Sequence, residues 1–338
     1  MSTSRPTIND VAARAGVSKS LVSLAIRGSD RVSEESREAI LRAADELGYR
    51  PNAAARSLAD RRSRTIGVLL HDLHNPVFAQ VLDGVQEIVR AHGYRTMLVT
   101  GHGDSQRERE ELTALLDFQV EGLILISHGL DPALAQQAAR ECPVVIVMRH
   151  DITGRGISTV CADDVRAGSE AVEELLALGH ERIAHVSGGD NRVGADRELG
   201  YREAMIRAGL DHHILVEAGD FTESGGRAAA ARLLERDPDI TGLVVANDLS
   251  ALGAVVAAEE ADRSVPSDLS IVGFDGMSLA ALGSLTLTTM VQPLEQMGRA
   301  AAEQVFRRIT SPRSPLSQDQ VISTWLPRGT TAPAPPRG

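Results

Sequence analysis

Residues 7–28 read TINDVAARAGVSKSLVSLAIRG, and this stretch decides how the rest of the chain is understood. Ile8, Val11, Ala12 and Ala15 recur at helical spacing, so a first short helix has one apolar face. Gly16 interrupts the pattern. Ser18 stands where a helix N-cap belongs, its hydroxyl placed to accept from free amides of the next turn. Leu21, Val22, Ala25 and Ile26 give a second apolar series. Two short helices around a glycine-containing turn are the unit that lays its second helix in a DNA major groove. A helical hairpin with no nucleic-acid role reads the same over these residues, so the flanking chain has to separate the two.

Downstream, GSDRVS reads as a loop, and Ser33 is placed to cap a third helix from Glu34 to Leu47. Glu34 and Glu35 suit the positive end of its dipole, Ile40, Ala43, Ala44 and Leu47 form its buried face, and Gly48 ends it. Residues 1–49 thus predict an all-α helix-turn-helix head whose core is small enough to be marginal alone. Residues 50–64 form a joint. Pro51 can open a helix and the alanines favour one, yet a segment this short is not stably helical in water unless something holds it. Leu58 is the residue that a plain polar tether leaves unexplained. Residues 1–64 carry twelve basic and eight acidic side chains, a balance of +4, against −11 for the whole chain and so −15 for the remainder. A basic head on an acidic body suits contact with phosphates at one end only. Lys19 is the chain's only lysine.

From Thr65 the pattern changes. TIGVLL, RTMLVT, EGLILIS and PVVIVM, then RIAHVSG, TGLVVAN and LSIVGFD, are short, β-branched and apolar, the mark of strands buried on both faces. Helical segments alternate with them, near 77–92, 106–118, 164–179, 195–208, 223–236 and 248–261. Residues 65–338 therefore predict an α/β core of two doubly wound, parallel-sheet lobes with a cleft between them. The Pro-rich tail SPRSPLSQDQ…TAPAPPRG is expected to be ragged at its end. In open parallel sheets ligands bind beyond the carboxyl ends of the strands. Those ends include Met148–His150, Asn247–Asp248 and Asp275. Asp275 and Asn247 suit hydroxyl groups, Arg197 presents a rigid donor fork, and Phe78 and Phe221 suit the apolar face of a ring. Each has a blander alternative: Arg197 paired with a surface carboxylate, Phe78 in the core, Asn247 capping a helix.

Several classes lack support. No apolar run is long enough for a membrane span. MSTSRPTIND is not a basic-then-apolar export signal, and two cysteines, Cys142 and Cys161, make no disulfide framework, so a reducing cytoplasm is expected. Catalysis is not expected. The core holds no lysine for a P-loop or a Schiff base, no G-x-G-x-x-G follows a strand, and no G-x-S-x-G elbow is present. No cofactor is implied. No metal site is expected either, because neither His71 with His74 nor His212 with His213 is read as having a carboxylate or cysteine at ligand spacing.

The chain resembles the lactose/galactose-repressor (LacI/GalR) family over almost its whole length. The resemblance is carried by TINDVAARAGVSKSLVSLAIRG, RVSEESREAILRAADELGYRPNAAARSL, TIGVLLHDLHNPVF, DDVRAG, RELGYREAM, VVANDLSALGAV, VPSDLSIVGFDG and LTTMVQPLEQMGRAA, in that order. It implies a head whose second helix enters the major groove, a hinge helix formed on the operator, and a core like that of periplasmic binding proteins. Lys19, Ser20 and Leu21 match base-reading positions. Leu58 matches a leucine wedged between base pairs in the minor groove, where unstacking is offset by a bent, more fully contacted duplex. Thr7, Ser18, Ser23 and Asn52 match backbone-contact positions. Arg27, which replaces the family's usual asparagine, Arg31 and Arg56 complete the expected DNA-contact set. Phe78, Arg149, Arg197, Phe221, Asn247 and Asp275 are the expected effector contacts.

Some residues depart from the pattern. Leu24 stands where a base-contacting arginine is usual, and such an arginine contributes about 1–3 kcal/mol of discrimination. Val77 replaces an aromatic, and Met148 an aspartate. The expected function is ligand-responsive repression by a homodimer on a near-palindromic operator, with a small polar effector, a sugar or related metabolite, in the cleft. No terminal leucine heptads are present to join dimers into tetramers. The alternative is a stand-alone sugar carrier of the periplasmic-binding type, which has the same core but no use for the basic head.

Overall fold

The computed structural model describes residues 6–26, 29–49, 62–127, 130–277 and 286–336. It divides into two compact units, Met1–Arg64 and Thr65–Gly338.

The first unit contains α1 (Ile8–Ala15), α2 (Lys19–Ile26) and α3 (Glu34–Glu46). Thr7 and Asp10 cap α1 reciprocally: the Asp10 carboxylate accepts from the Thr7 amide at 2.7 Å, and the Thr7 hydroxyl oxygen accepts from the Asp10 amide. Gly16 turns the chain with a left-handed φ of 68°. Ser18 Oγ accepts from the Leu21 amide at 3.2 Å, and Ser33 caps α3. Val11, Val22 and Ile40 are fully buried at the centre, with Ala12, Ala25, Val32 and Ala43 around them. Arg37 donates to the carbonyls of Ala25 and Ser29, and so ties α3 to the end of α2.

The second unit is built on two six-stranded sheets. The first lobe contains β1 (Thr65–Leu70), β2 (Arg95–Thr100), β3 (Gly122–Ile126), β4 (Val144–Val147) and β5 (Ile157–Ala162), with α4 (Pro76–Ala91), α5 (Ser105–Asp117) and α6 (Pro132–Ala138) between them. The second lobe contains β6 (Ile183–Ser187), β7 (Val216–Ala218), β8 (Gly242–Val245), β9 (Ser270–Asp275) and β10 (Thr288–Val291), with α7 (Asp164–Ala177), α8 (Arg192–Arg207), α9 (Glu223–Arg236) and α10 (Asp248–Glu260). The chain then returns to the first lobe as α11 (Leu294–Thr310) and β11 (Gln318–Val321), and ends in the second as β12 (Thr324–Leu326). The sheet orders are β2-β1-β3-β4-β5-β11 and β7-β6-β8-β9-β10-β12. The same doubly wound order is therefore used twice, each sheet being closed by a strand from the tail. All pairings are parallel except β10 with β12.

The seven strands read from the sequence are present. Five others were not read: β5 and β10 are broken by Ser, Thr and Cys, β7 and β12 are three residues long, and β11 is a polar edge. The tail expected to be ragged at its end is held in place as far as Ala334, and residues 337–338 lie outside those described. The Thr330 hydroxyl is buried and donates to the Ile271 carbonyl of β9 at 2.7 Å, and the Ala334 amide donates to the Leu178 carbonyl at the end of α7 at 2.9 Å, so the tail is held to the second lobe through hydrogen bonds that its proline content concealed.

Glycines set three helix crossings. A Cβ on Gly84 of α4 would overlap the Glu295 carbonyl of α11, and one on Gly298 would overlap the Val81 carbonyl in return. Gly168 and Gly200 are related in the same way across α7 and α8, as are Gly226 and Gly253 across α9 and α10. Each pair brings two backbones closer than side chains would permit.

Candidate functional site

The carboxyl ends of the strands of both lobes converge on a narrow cavity of about 30 Å³, at the place where open parallel sheets bind ligands. From the first lobe it is lined by Asn75, Val77, Phe78 and Met148, and from the second by Asp164, Val193, Arg197, Phe221, Asn247, Asp275 and Gln292. One wall is mainly apolar and the other mainly polar.

Arg197 is the centre of the polar wall. Its side chain is 3% exposed, its Nε donates to Asp164 Oδ1 at 2.8 Å, its Nη1 donates to the Ala246 carbonyl, and Asp275 Oδ1 lies 3.7 Å from Nη1. The guanidinium stacks 4.6 Å from the centroid of the Phe274 ring and 6.0 Å from that of Phe221. Burial disfavours its charge, but the neighbouring Asp164 and Asp275 outweigh that and hold the guanidinium firmly protonated. Gln292 Nε2 donates to Asp275 Oδ1 at 2.6 Å. Asn247 caps α10, accepting from the Ser250 amide, and holds the Phe221 carbonyl through its Nδ2. Met148, Phe221 and Asp275 all have left-handed φ, of 74°, 64° and 108°. Such strain of about 1–3 kcal/mol each persists where the surrounding structure fixes the side chain. Gly188 makes room for the Phe221 ring, whose edge a Cβ there would strike.

Burial pushes the Asp275 carboxyl up to about 7, against Arg197 and with Asp248, while burial pushes Asp248 itself up to about 6. Burial likewise raises Asp164 above the usual carboxylate range despite its ion pair. Asp275 and Asp248 are thus both shifted towards neutrality, and the charge on this group of carboxylates depends on pH near 6–7. Because Asp275 binds its proton more tightly in the fold than at its unfolded value of about 3.9, its contribution favours folding increasingly as pH falls through 7. The buried His180 and His185 act with the opposite sign, since burial lowers both, and their cost sets in below about 6.5. Asp275→Asn removes only the first effect. Its melting temperature relative to wild type is expected to be more favourable at pH 8 than at pH 6; a difference independent of pH would mean that Asp275 stays ionised throughout.

Five of the six expected effector contacts therefore line one cavity: Phe78, Arg197, Phe221, Asn247 and Asp275. Two of the blander alternatives hold alongside, since Phe78 is 2% exposed in the core and Asn247 is a helix cap. Arg149 is not among the lining residues. Its guanidinium turns to Asp151 at 2.6 Å and to the Leu130 carbonyl at 2.8 Å, because a carboxylate two residues away closes a compact ion pair. Asp164 and Gln292 are hidden from sequence reasoning for one reason: they follow β5 and β10, strands too polar for the apolar pattern to mark, so their carboxyl ends do not stand out in the chain. Asn75 was detectable as the N-cap before Pro76.

In the first unit Ser18, Lys19 and Ser20 are exposed on the first turn of α2, with Ser23 and Leu21 half-buried behind them; Thr7 and Arg31 are exposed. Leu21 and Leu24 pack partly against the head core. Arg27, Asn52, Arg56 and Leu58 lie outside the described residues. The view that the loop histidines lack a carboxylate is corrected: Asp72 Oδ1 lies 2.7 Å from His74 Nδ1.

Residues 7–52 match the family described as bacterial regulatory proteins, lacI family, and residues 63–326 match periplasmic binding proteins and sugar binding domain of LacI family. The transcriptional regulator CelR of Thermobifida fusca is 37% identical over 316 residues, 90% of this chain and 92% of that protein. A solved CelR–cellobiose complex matches with a TM-score of 0.72 at 33% identity, over 96% of this chain and all of that one. The lac repressor dimer bound to operator and the anti-inducer ONPF matches with a TM-score of 0.88 at 26% identity, over 97% of this chain and all of that one. The chain belongs to the LacI family of bacterial regulatory proteins and is a ligand-responsive, DNA-binding transcriptional regulator, not an enzyme.

Proposed function

We propose that the protein is a cytoplasmic repressor that binds a near-palindromic operator as a homodimer and responds to a neutral, polyhydroxylated effector held between the lobes. The observation that carries the effector class is the internal neutralisation of the polar wall. Arg197 is already engaged by Asp164, Asp275 and a carbonyl, so the wall favours neither a strong anion nor a strong cation. Phe78 and Phe221 supply faces on which the C–H side of a sugar ring packs, while Asn247 and Asp275 meet hydroxyls. The relative solved with cellobiose supports the same class. Val77 and Met148 replace ring-stacking and polar groups, which points to a ligand touching the first lobe mainly through apolar surface.

Lys19 and Ser20 on the exposed turn of α2 are the proposed base readers, with Leu21 behind them, and Thr7, Ser18, Ser23, Arg27, Arg31, Asn52, Arg56 and Leu58 the other DNA contacts. Repeated selection of the full chain on random duplexes should return a near-palindromic site, bound with an affinity that falls linearly with salt on logarithmic axes. A screen of sugars by thermal shift should then find a stabilising ligand whose effect vanishes in Asp275→Ala while DNA binding without ligand is kept. Absence of salt-sensitive DNA binding would remove the repressor reading; a ligand that still stabilises Asp275→Ala would remove Asp275 from the site.

A further inference from the structure

Away from the cavity, the loops after β1 and β2 bring together Asp72, His74 and His102, whose ligand-type atoms all lie within 4.8 Å of one another. Asp72 Oδ1 is 2.7 Å from His74 Nδ1 and 3.8 Å from His102 Nδ1. Around a tetrahedral zinc with bonds of 2.0–2.1 Å, neighbouring ligand atoms stand roughly 3.3 Å apart, between these two spacings. His102 Nε2 lies 3.0 Å from Thr100 Oγ1, the outer hydrogen bond that orients a ligating imidazole and leaves its other nitrogen for the ion. The His74 and His102 side chains are 83% and 45% exposed, which leaves room for water to complete a coordination shell.

We propose that Asp72, His74 and His102 bind one divalent transition-metal ion of the zinc class, joining the β1 and β2 loops across the first lobe. Two imidazoles and one carboxylate suit zinc, nickel or copper and not magnesium or calcium, which take oxygen ligands. The ion replaces the Asp72–His74 hydrogen bond by coordinate bonds to both groups and draws His102 in by a fraction of an ångström. Its position has a consequence for the cavity. His74 is followed directly by Asn75, which caps α4 and lines the cavity, and then by Val77 and Phe78. A bound ion fixes the segment that delivers all three.

The test is calorimetric titration of the metal-free full chain with zinc chloride, with magnesium chloride as the comparison. One zinc per subunit and no magnesium heat are expected. His74→Ala and His102→Ala should each weaken zinc binding at least about ten-fold, since even outer-sphere changes cost 10–100-fold. The adjacent pair His212 and His213, with ring centroids 4.0 Å apart, provides the control, and His212→Ala should leave affinity unchanged. His102→Gln serves as the second variant if the alanine protein does not fold. Zinc binding unchanged in the His102 variants, loss only in His212→Ala, or no zinc binding at all would each overturn the proposal.

Discussion

Arg197→Met is expected to destabilise the second unit by about 3–5 kcal/mol, the cost of leaving buried carboxylates without their counter-charge. Asp164 and Asp275 are 7% and 4% exposed. For a unit of this size the loss corresponds to a fall in melting temperature on the order of 10 °C. Adding Asp164→Leu should restore much of it, because a buried ion pair replaced on both sides by apolar groups is often neutral. The double variant should still fail to respond to ligand. Thermal unfolding with and without ligand separates the two outcomes: recovery of stability without recovery of response identifies Arg197 and Asp164 as a site retained for recognition. A single variant that melts with wild type would show that the carboxylates simply protonate in place.

Gly84→Ala carries the second large effect. The added methyl would collide with the backbone carbonyl of Glu295, which cannot rotate away as a side chain can, so α4 and α11 must separate along their whole contact. A cost of about 3 kcal/mol is expected, at the upper end for over-packing, although alanine favours a helix over glycine by about 1 kcal/mol. A melting temperature raised by the substitution would mean that the helices already have room. Gly168→Ala should act on function as well, since the close crossing of α7 and α8 is what allows Arg197 to reach Asp164.

Much of this was legible in the chain, and the failures are instructive. The caps at Ser18 and Ser33 and the strands from TIGVLL to LSIVGFD follow from local chemistry, because each is decided by residues a few positions apart. Strands β5, β10, β11 and β12 are decided by neighbours distant in sequence. Nothing in QDQV predicts a strand until β5 is there to pair with it. Helix α11 was legible and unread: Leu294, Met297, Ala301, Val305 and Phe306 recur on its inward face at helical spacing, with Gly298 allowing the close approach to α4. In the site, the long-range partners of Arg197 and the turning of Arg149 to Asp151 are both questions of which carboxylate the fold brings nearest. Resemblance gave the positions; only the structure distinguishes Arg197, whose ion pair lies in the cavity wall, from Arg149, whose ion pair lies outside it.

The path of the chain between the lobes has one more implication. It crosses three times: between β5 and α7, between β10 and α11, and between β11 and β12. Two of those crossings, at Asp164 and Gln292, are also cavity residues. On the proposed function, a ligand in the cavity would meet the strands that join the lobes as well as the two facing walls. Affinity and the relative placement of the lobes would then depend on the same few side chains, and selection for a new effector would alter both together.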